Sequence, residues 1–292
     1  MRIAFIGLGN MGGPMAANLA AVGHDVSGFD LTAPMPSGVV KAESVAQACK
    51  NAAVIITMLP NGKILRSVAA EAIPAADKGA VFCDCSTVDV ASARAVASQA
   101  EAAGLLAMDA PVSGGVTGAQ SGKLTFMIGG TDAAFSIVLP LFDIMGQKAV
   151  HCGGSGAGQA AKICNNMILG VTMIATCEAI ALADKLGLDR QKLFDVVSTS
   201  SGYSWSMNAY CPAPGVGPVS PADHGYKPGF AADLMLKDLR LSQQAAAEAD
   251  ADTPMGHLAT ELYGQFVEQE DGRGRDFSAM LPRFESRGHI DG

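Results

Sequence analysis

The sequence predicts an α/β protein in two parts: a doubly wound, mainly parallel sheet over residues 1–155, then an all-α domain over residues 156–292, joined by one long helix. Three observations carry this reading. Short β-rich runs alternate with Ala-rich helical stretches through the first half, the signature of βαβ units. After Cys152 no further strand run stands out. From Ala157 to about Leu186 an apolar pattern continues without proline, long enough for a helix of roughly 40 Å.

In chain order, strands are expected near Ile3–Ile6, Val26–Phe29, Val54–Met58, Val81–Asp84, Leu105–Asp109 and Leu124–Ile128. Helix starts are marked by capping residues: Asp89 ahead of Val90–Ala103, and Thr131 and Asp132 ahead of Ala133–Met145. The second half reads as helices near Arg190–Thr199, Ala231–Ala249, Pro254–Gln269 and Phe277–Glu285. Between them, Tyr210–Gly229 is rich in proline and glycine, and a loop of that length inside a domain is either functional or disordered.

Composition narrows the function. At 292 residues the chain has room for two cores. A net charge of -8 with no Lys/Arg-rich run argues against a nucleic-acid partner, yet leaves a cleft for a small anion possible. Seven cysteines without a C-x-x-C pair read as free thiols in a reducing, cytoplasmic setting. Isolated histidines and the absence of a His-Glu-x-x-His motif give no reason to expect a metal. Met1–Gly9 reads as a strand rather than a signal peptide, and Met167–Ala183, interrupted by Glu178, makes a poor membrane span, so no membrane partner is expected.

Gly7-Leu8-Gly9-Asn10-Met11-Gly12 directly follows the first strand and opens the Ala-rich helix Met15–Val22; the next strand ends in Phe29-Asp30. Strand, glycine loop, helix and terminal acid within about thirty residues make the fingerprint of a Rossmann-type dinucleotide site. Gly7 permits the tight turn, Gly9 lets backbone approach a pyrophosphate, and Gly12 lets helix and strand pack closely. Asp30 is placed to accept the ribose hydroxyls, and its charge would oppose a 2′-phosphate, which favours NAD over NADP. Further strand ends, at Leu59-Pro60-Asn61, Ser86-Thr87 and Pro111-Val112-Ser113-Gly114-Gly115, fall where open parallel sheets bind ligands.

Oxidising an alcohol requires a base for the hydroxyl proton. No histidine is well placed, whereas Lys162 stands in the first turns of the long helix with Asn166 four residues on, hence on the same face. Apolar neighbours would partly desolvate the ammonium and lower its pKa; the competing reading is a lysine that snorkels to solvent. Lys237, in Leu236-Lys237-Asp238-Leu239, is by itself equally readable as a surface residue paired with Asp233.

Four motifs in order resemble those of the β-hydroxyacid dehydrogenase family and span nearly the whole chain: Gly7-Leu8-Gly9-Asn10-Met11-Gly12, Asp109-Ala110-Pro111-Val112-Ser113-Gly114-Gly115, Gly156-x-Gly158-x-x-x-Lys162-x-x-x-Asn166 and Lys237-Asp238-Leu239. Trp205-Ser206 and Tyr210-Cys211-Pro212-Ala213-Pro214-Gly215-Val216 look like the substrate loop of members acting on 3-hydroxyisobutyrate, with Cys211 where that loop usually has Asn and Ile64 where a polar residue is expected near the cofactor. The resemblance implies that Lys162 is the acid/base, that Asn166 holds substrate and Lys162 in line, and that Ser113, Gly114 and Gly115 grip the substrate carboxylate. It further implies that Leu59, Pro60 and Thr87 contact NAD, that Lys237 lies by the nicotinamide, and that Trp205 and Asp238 belong to the substrate region. The implied reaction is oxidation of 3-hydroxyisobutyrate to methylmalonate semialdehyde, a valine-degradation step, by a homodimer or homotetramer. Alternatives are the same chemistry on L-serine, 3-hydroxypropionate or the tartronate semialdehyde/glycerate pair. A non-catalytic NAD-binding sensor would keep the glycine fingerprint but have no need of Lys162 or Asn166.

Overall fold

The computed structural model describes residues 1–286; residues 287–292, the end of the predicted second domain, lie outside the described residues. The chain forms two compact units, the first Met1–Lys162 and the second beginning at Ile163, so the division falls inside the long helix rather than at its start.

In the first unit β1 (Arg2–Ile6), α1 (Gly12–Ala21), β2 (Asp25–Phe29), β3 (Val40–Lys41), α2 (Val45–Cys49), β4 (Val54–Thr57), α3 (Gly62–Ala75), β5 (Val81–Asp84), α4 (Val90–Ala102) and β6 (Leu106–Asp109) follow the expected alternation. Then come β7 (Val112–Ser113), α5 (Gly115–Ser121), β8 (Leu124–Gly130), α6 (Asp132–Met145) and β9 (Gly146–Gly153), ahead of α7 (Ala157–Lys185). The sheet order is β3-β2-β1-β4-β5-β6-β8-β7, with β9 on β8. Pairing is parallel from β3 to β6 and between β8 and β9, and antiparallel where β8 meets β6 and β7.

Two-residue periodicity sorts each central strand between two cores. Ile3 and Phe5, Val54 and Ile56, Val81 and Cys83 face α1 and α6. Ala4 and Ile6, Ile55 and Phe82 face α2, α3 and α4 on the opposite side. The sheet is therefore doubly wound. Three strands escaped the sequence pattern: β3 and most of β9 are exposed edges held by pairing rather than by an apolar run, and β7 is only two residues long.

Asp89 and Thr131 cap their helices as expected, accepting the Ser92 and Ala134 N–H groups, and Asn61 caps α3 in the same way through the Ile64 N–H. α7 is long and apolar enough to cross a membrane by length and composition, and half of its apolar window is buried inside the structure.

The second unit is helical: the rest of α7, α8 (Arg190–Val197), α9 (Trp205–Asn208), α10 (Ala232–Glu248), α11 (Pro254–Glu268) and α12 (Met280–Ser286), with 3-10 turns at Pro221–His224 and Phe277–Ala279. Its core gathers Met173 and Cys177 from α7, Met235 and Leu239 from α10, and Tyr263 and Phe266 from α11. The Pro/Gly segment belongs to that core, contributing buried Cys211, Ala213, Val216 and Tyr226, with the Tyr226 hydroxyl donating to the Pro212 carbonyl at 2.9 Å.

Candidate active site

The chain runs outward from β1 to β2 and β3, then returns to the other side of β1 as β4, which puts the topological switch point between β1 and β4. Ligands bind in the crevice outside the carboxyl ends of strands at such a point. Gly7 follows β1 with φ of 92°, a left-handed conformation, and a Cβ there would fall on the Met58 carbonyl oxygen at the end of β4. A Cβ at Gly12 would strike the Gly7 carbonyl oxygen, whereas one at Gly9 would meet nothing within 4 Å. Two of the three glycines thus serve the protein's own backbone, and Gly9 alone faces space that a pyrophosphate can fill. Asn10 and Met11 complete the loop, Met11 as the residue preceding α1.

Asp30, at the end of β2, accepts backbone N–H groups from Leu8 (2.8 Å), Thr32 (2.8 Å) and Ala33 (2.7 Å). Partial burial works to raise its pKa, but the bonds from Ala33, Thr32 and Leu8 outweigh it, and the carboxyl sits below its ordinary value. The carboxylate is therefore fixed, charged and tied to the glycine loop.

The loops after β4 and β5 are linked. The Leu59 N–H donates to Ser86 Oγ at 2.7 Å, and that hydroxyl donates to Asp84 Oδ1 at 2.5 Å, which also takes the Thr57 hydroxyl at 2.7 Å. Pro60 and Thr87 flank these anchor points. Burial pushes the Asp84 carboxyl up to about 6 against the hydrogen bonds from Ser86 and Thr57. Its Oδ2 has no hydrogen-bond partner among the described residues.

Ser113 ends β7, paired with Thr125 of β8, and Gly114 and Gly115 adopt φ of 129° and 61°, turning the chain into α5. The start of α7 is pinned to the same sheet edge: Asp109 at the end of β6 accepts the Gly156 N–H at 2.6 Å and the Gln159 N–H at 2.8 Å. Burial raises the Asp109 carboxyl, opposed by those same N–H groups. Gly158 packs so close that a Cβ would run into the Met127 and Asp109 carbonyl oxygens. One turn further on, Lys162 is 7 % exposed, the one buried lysine among the described residues.

In the second unit Asn166 is 1 % exposed and donates through Nδ2 to Asp238 Oδ2 of α10 at 2.6 Å. Lys237 Nζ lies 3.7 Å from Asp238 Oδ1, while Asp233, the i,i+4 candidate, accepts the Gly274 N–H. Trp205, half-exposed, opens α9 and stacks on Tyr210 with ring centroids 4.8 Å apart; the Tyr210 hydroxyl donates to buried Asp276. Ile64 lies partly exposed in the first turn of α3, and Cys211 is buried in the second core.

Sequence reasoning had no role for Asp84, Gln159 or Asp276, and marked Ser86 and Tyr210 only as members of a strand end and a loop. Ser86 and Gln159 stood inside recognised stretches, but which atoms their side chains reach is a tertiary property.

Sheet, crevice and a carboxylate closing β2 define a Rossmann-type dinucleotide-binding protein. A family model described as the NAD binding domain of 6-phosphogluconate dehydrogenase matches residues 2–154, and another described as NAD-binding of NADP-dependent 3-hydroxyisobutyrate dehydrogenase matches residues 156–284. The 3-hydroxyisobutyrate dehydrogenase of Pseudomonas aeruginosa is 46% identical over 95% of this chain and 96% of its own length. The NAD-dependent L-serine dehydrogenase of the same organism is 42% identical over 97% and 98%. A solved structure of Mycobacterium tuberculosis 3-hydroxyisobutyrate dehydrogenase with L-serine superimposes with TM-score 0.92 at 44% identity, covering 97% of this chain and 99% of that one. The chain belongs to the β-hydroxyacid dehydrogenase family, among its 3-hydroxyisobutyrate dehydrogenases, and is an NAD-dependent oxidoreductase. One family description names NADP; the fixed negative charge of Asp30 is the physical reason to read NAD here.

Proposed function

We propose that this enzyme oxidises the primary alcohol of 3-hydroxyisobutyrate to methylmalonate semialdehyde, a step of valine breakdown, with Lys162 as the general acid/base. The observation that carries the reading is the burial of Lys162 at the start of α7, four residues before an asparagine whose amide is bound by a buried carboxylate.

Bound NAD supplies the hydride acceptor. Ser113 and the backbone of Gly114 and Gly115 hold the substrate carboxylate. Lys162 takes the hydroxyl proton as the C–H bond breaks, and returns it in the reverse direction. Asn166, whose amide is held by Asp238, would help hold substrate and base in line, Trp205 and Asp238 would serve the substrate, and Lys237 would serve the nicotinamide end of the cofactor. Leu59, Pro60 and Thr87 would contact the cofactor, and Asp30 would take the ribose.

A second reading is L-serine, which carries an ammonium where 3-hydroxyisobutyrate has a methyl group; the L-serine dehydrogenase relative favours it. Free cysteines support a cytoplasmic enzyme, and exposed Ile168 and Leu182 on α7 support a homodimer or homotetramer, which light scattering would weigh.

The test is absorbance of reduced nicotinamide with NAD or NADP and a panel of 3-hydroxyisobutyrate, L-serine, 3-hydroxypropionate and glycerate. Fastest reduction of NAD by 3-hydroxyisobutyrate is expected; a faster acid overturns the substrate. Lys162→Ala is expected to lower turnover by about 10²–10⁴-fold with NAD affinity retained, and near-normal turnover would remove Lys162 from the mechanism.

A further inference from the structure

Gln159 is fully buried on α7 and satisfied at both ends of its amide. Its Oε1 accepts the Val88 N–H at 3.1 Å, and its Nε2 donates to the Ser86 carbonyl at 2.8 Å, so the side chain spans the loop on either side of Thr87. Its own backbone N–H is held by Asp109 Oδ2 at 2.8 Å. Ser86 in turn receives the Leu59 N–H. A set of hydrogen bonds, buried at its Gln159 end, therefore leads from Leu59 through Ser86 to Gln159, and Lys162 is the next residue along the same helix face, three positions on.

We propose that Gln159 is a positioning residue that sets Lys162 against the cofactor-contact loops, so that base and hydride acceptor are held in one frame. Its amide is committed to protein backbone, so it would act through Lys162 rather than on the reacting atoms. The inference rests on the assignment of Lys162 as acid/base and of Leu59 and Thr87 as NAD contacts. Its physical basis is that an amide with a donor and an acceptor both engaged in the interior fixes direction as well as distance. A displacement of about 1 Å between reacting groups can cost on the order of 10²-fold in rate. An apolar side chain of the same length would fill the volume and lose the registration.

The experiment compares Gln159→Met, which keeps the length and loses both bonds, with Gln159→Glu, which keeps the acceptor for Val88 and loses the donor to Ser86. For each, circular dichroism and NAD titration are followed by kcat, its pH profile and the deuterium isotope effect with the best acid of the panel labelled at the reacting carbon. Expected for Gln159→Met is a kcat loss of about 100-fold, with a larger isotope effect as hydride transfer becomes limiting, and a displaced acidic limb of the pH profile, where the base must lose its proton. Gln159→Glu should fall between it and the parent.

A residue that merely stabilised the fold would lower the melting temperature and leave the isotope effect and pH profile of the folded enzyme unchanged. That outcome in Gln159→Met overturns the inference, and if Gln159→Met does not fold, parent-like kinetics in Gln159→Glu overturns it equally. Lys162→Ala measured alongside separates the two claims: full turnover there sinks the assignment of Lys162, whereas loss of turnover there with parental Gln159 variants sinks only the role of Gln159.

Discussion

The Asn166 side chain donates to the Asp238 carboxylate at 2.6 Å, and its own amide oxygen receives Asn165 Nδ2 at 2.9 Å, so both polar ends of Asn166 are oriented. Asp238 Oδ1 has no hydrogen-bond partner among the described residues and has the Lys237 ammonium 3.7 Å away. Replacing Asn166 by Asp would set two buried carboxyl groups against each other, and such a pair holds a proton to higher pH than either group alone. Relative to the parent, Asn166→Asp is therefore expected to be least impaired at low pH and increasingly impaired as pH rises through the pair's titration. Asn166→Ala should be impaired at every pH; parallel pH–rate profiles for the two variants would remove the carboxylate contact as the explanation.

The glycine loop separates folding from binding. A methyl at Gly12 would strike the Gly7 carbonyl, so Gly12→Ala should destabilise the first unit by about 4 kcal/mol or more. A methyl at Gly9 meets nothing in the protein, so Gly9→Ala should stay within about 0.5 kcal/mol of the parent and lose NAD affinity more than tenfold. Thermal melts and NAD titrations check both, and equal destabilisation in the two variants would contradict the assignment.

The proposed role of Asp30 in cofactor preference is directly testable. Its carboxyl lies below the ordinary range, so the charge persists to low pH, and whatever it contributes is lost only as pH falls through that depressed value. Asp30→Asn should raise kcat/KM for NADP relative to NAD by at least about tenfold, the scale of one charged hydrogen bond. An unchanged ratio would place the discrimination elsewhere.

Asp84 carries the opposite sign. Burial lifts its carboxyl from 3.8 to about 6, so the folded protein binds that proton more tightly than the unfolded chain. This contribution is complete below pH 3.8 and is lost as pH rises through about 6, a change on the order of 3 kcal/mol. Asp84→Asn should abolish that downward slope in urea-measured stability between pH 4 and 7. A slope equal to the parent's would assign it to another group.

The strands that the sequence made legible, such as Ile3–Ile6 inside β1 and Val81–Asp84 as β5, are those buried on both faces, where side-chain pattern and secondary structure must agree. The strands it concealed, β3 and β9, lie at edges, where main-chain pairing holds the element and the side chains are free to be polar.

The same division runs through the site. The tight turn at Gly7 and the close packing at Gly12 were readable because they are backbone tasks set by local spacing. That Asn166 meets Asp238, and that Gln159 reaches across to Ser86 and Val88, was decided only by the tertiary structure. A hydrogen bond between residues some seventy positions apart depends on where strand ends and helix faces come to rest after packing, and spacing along the chain carries no record of that.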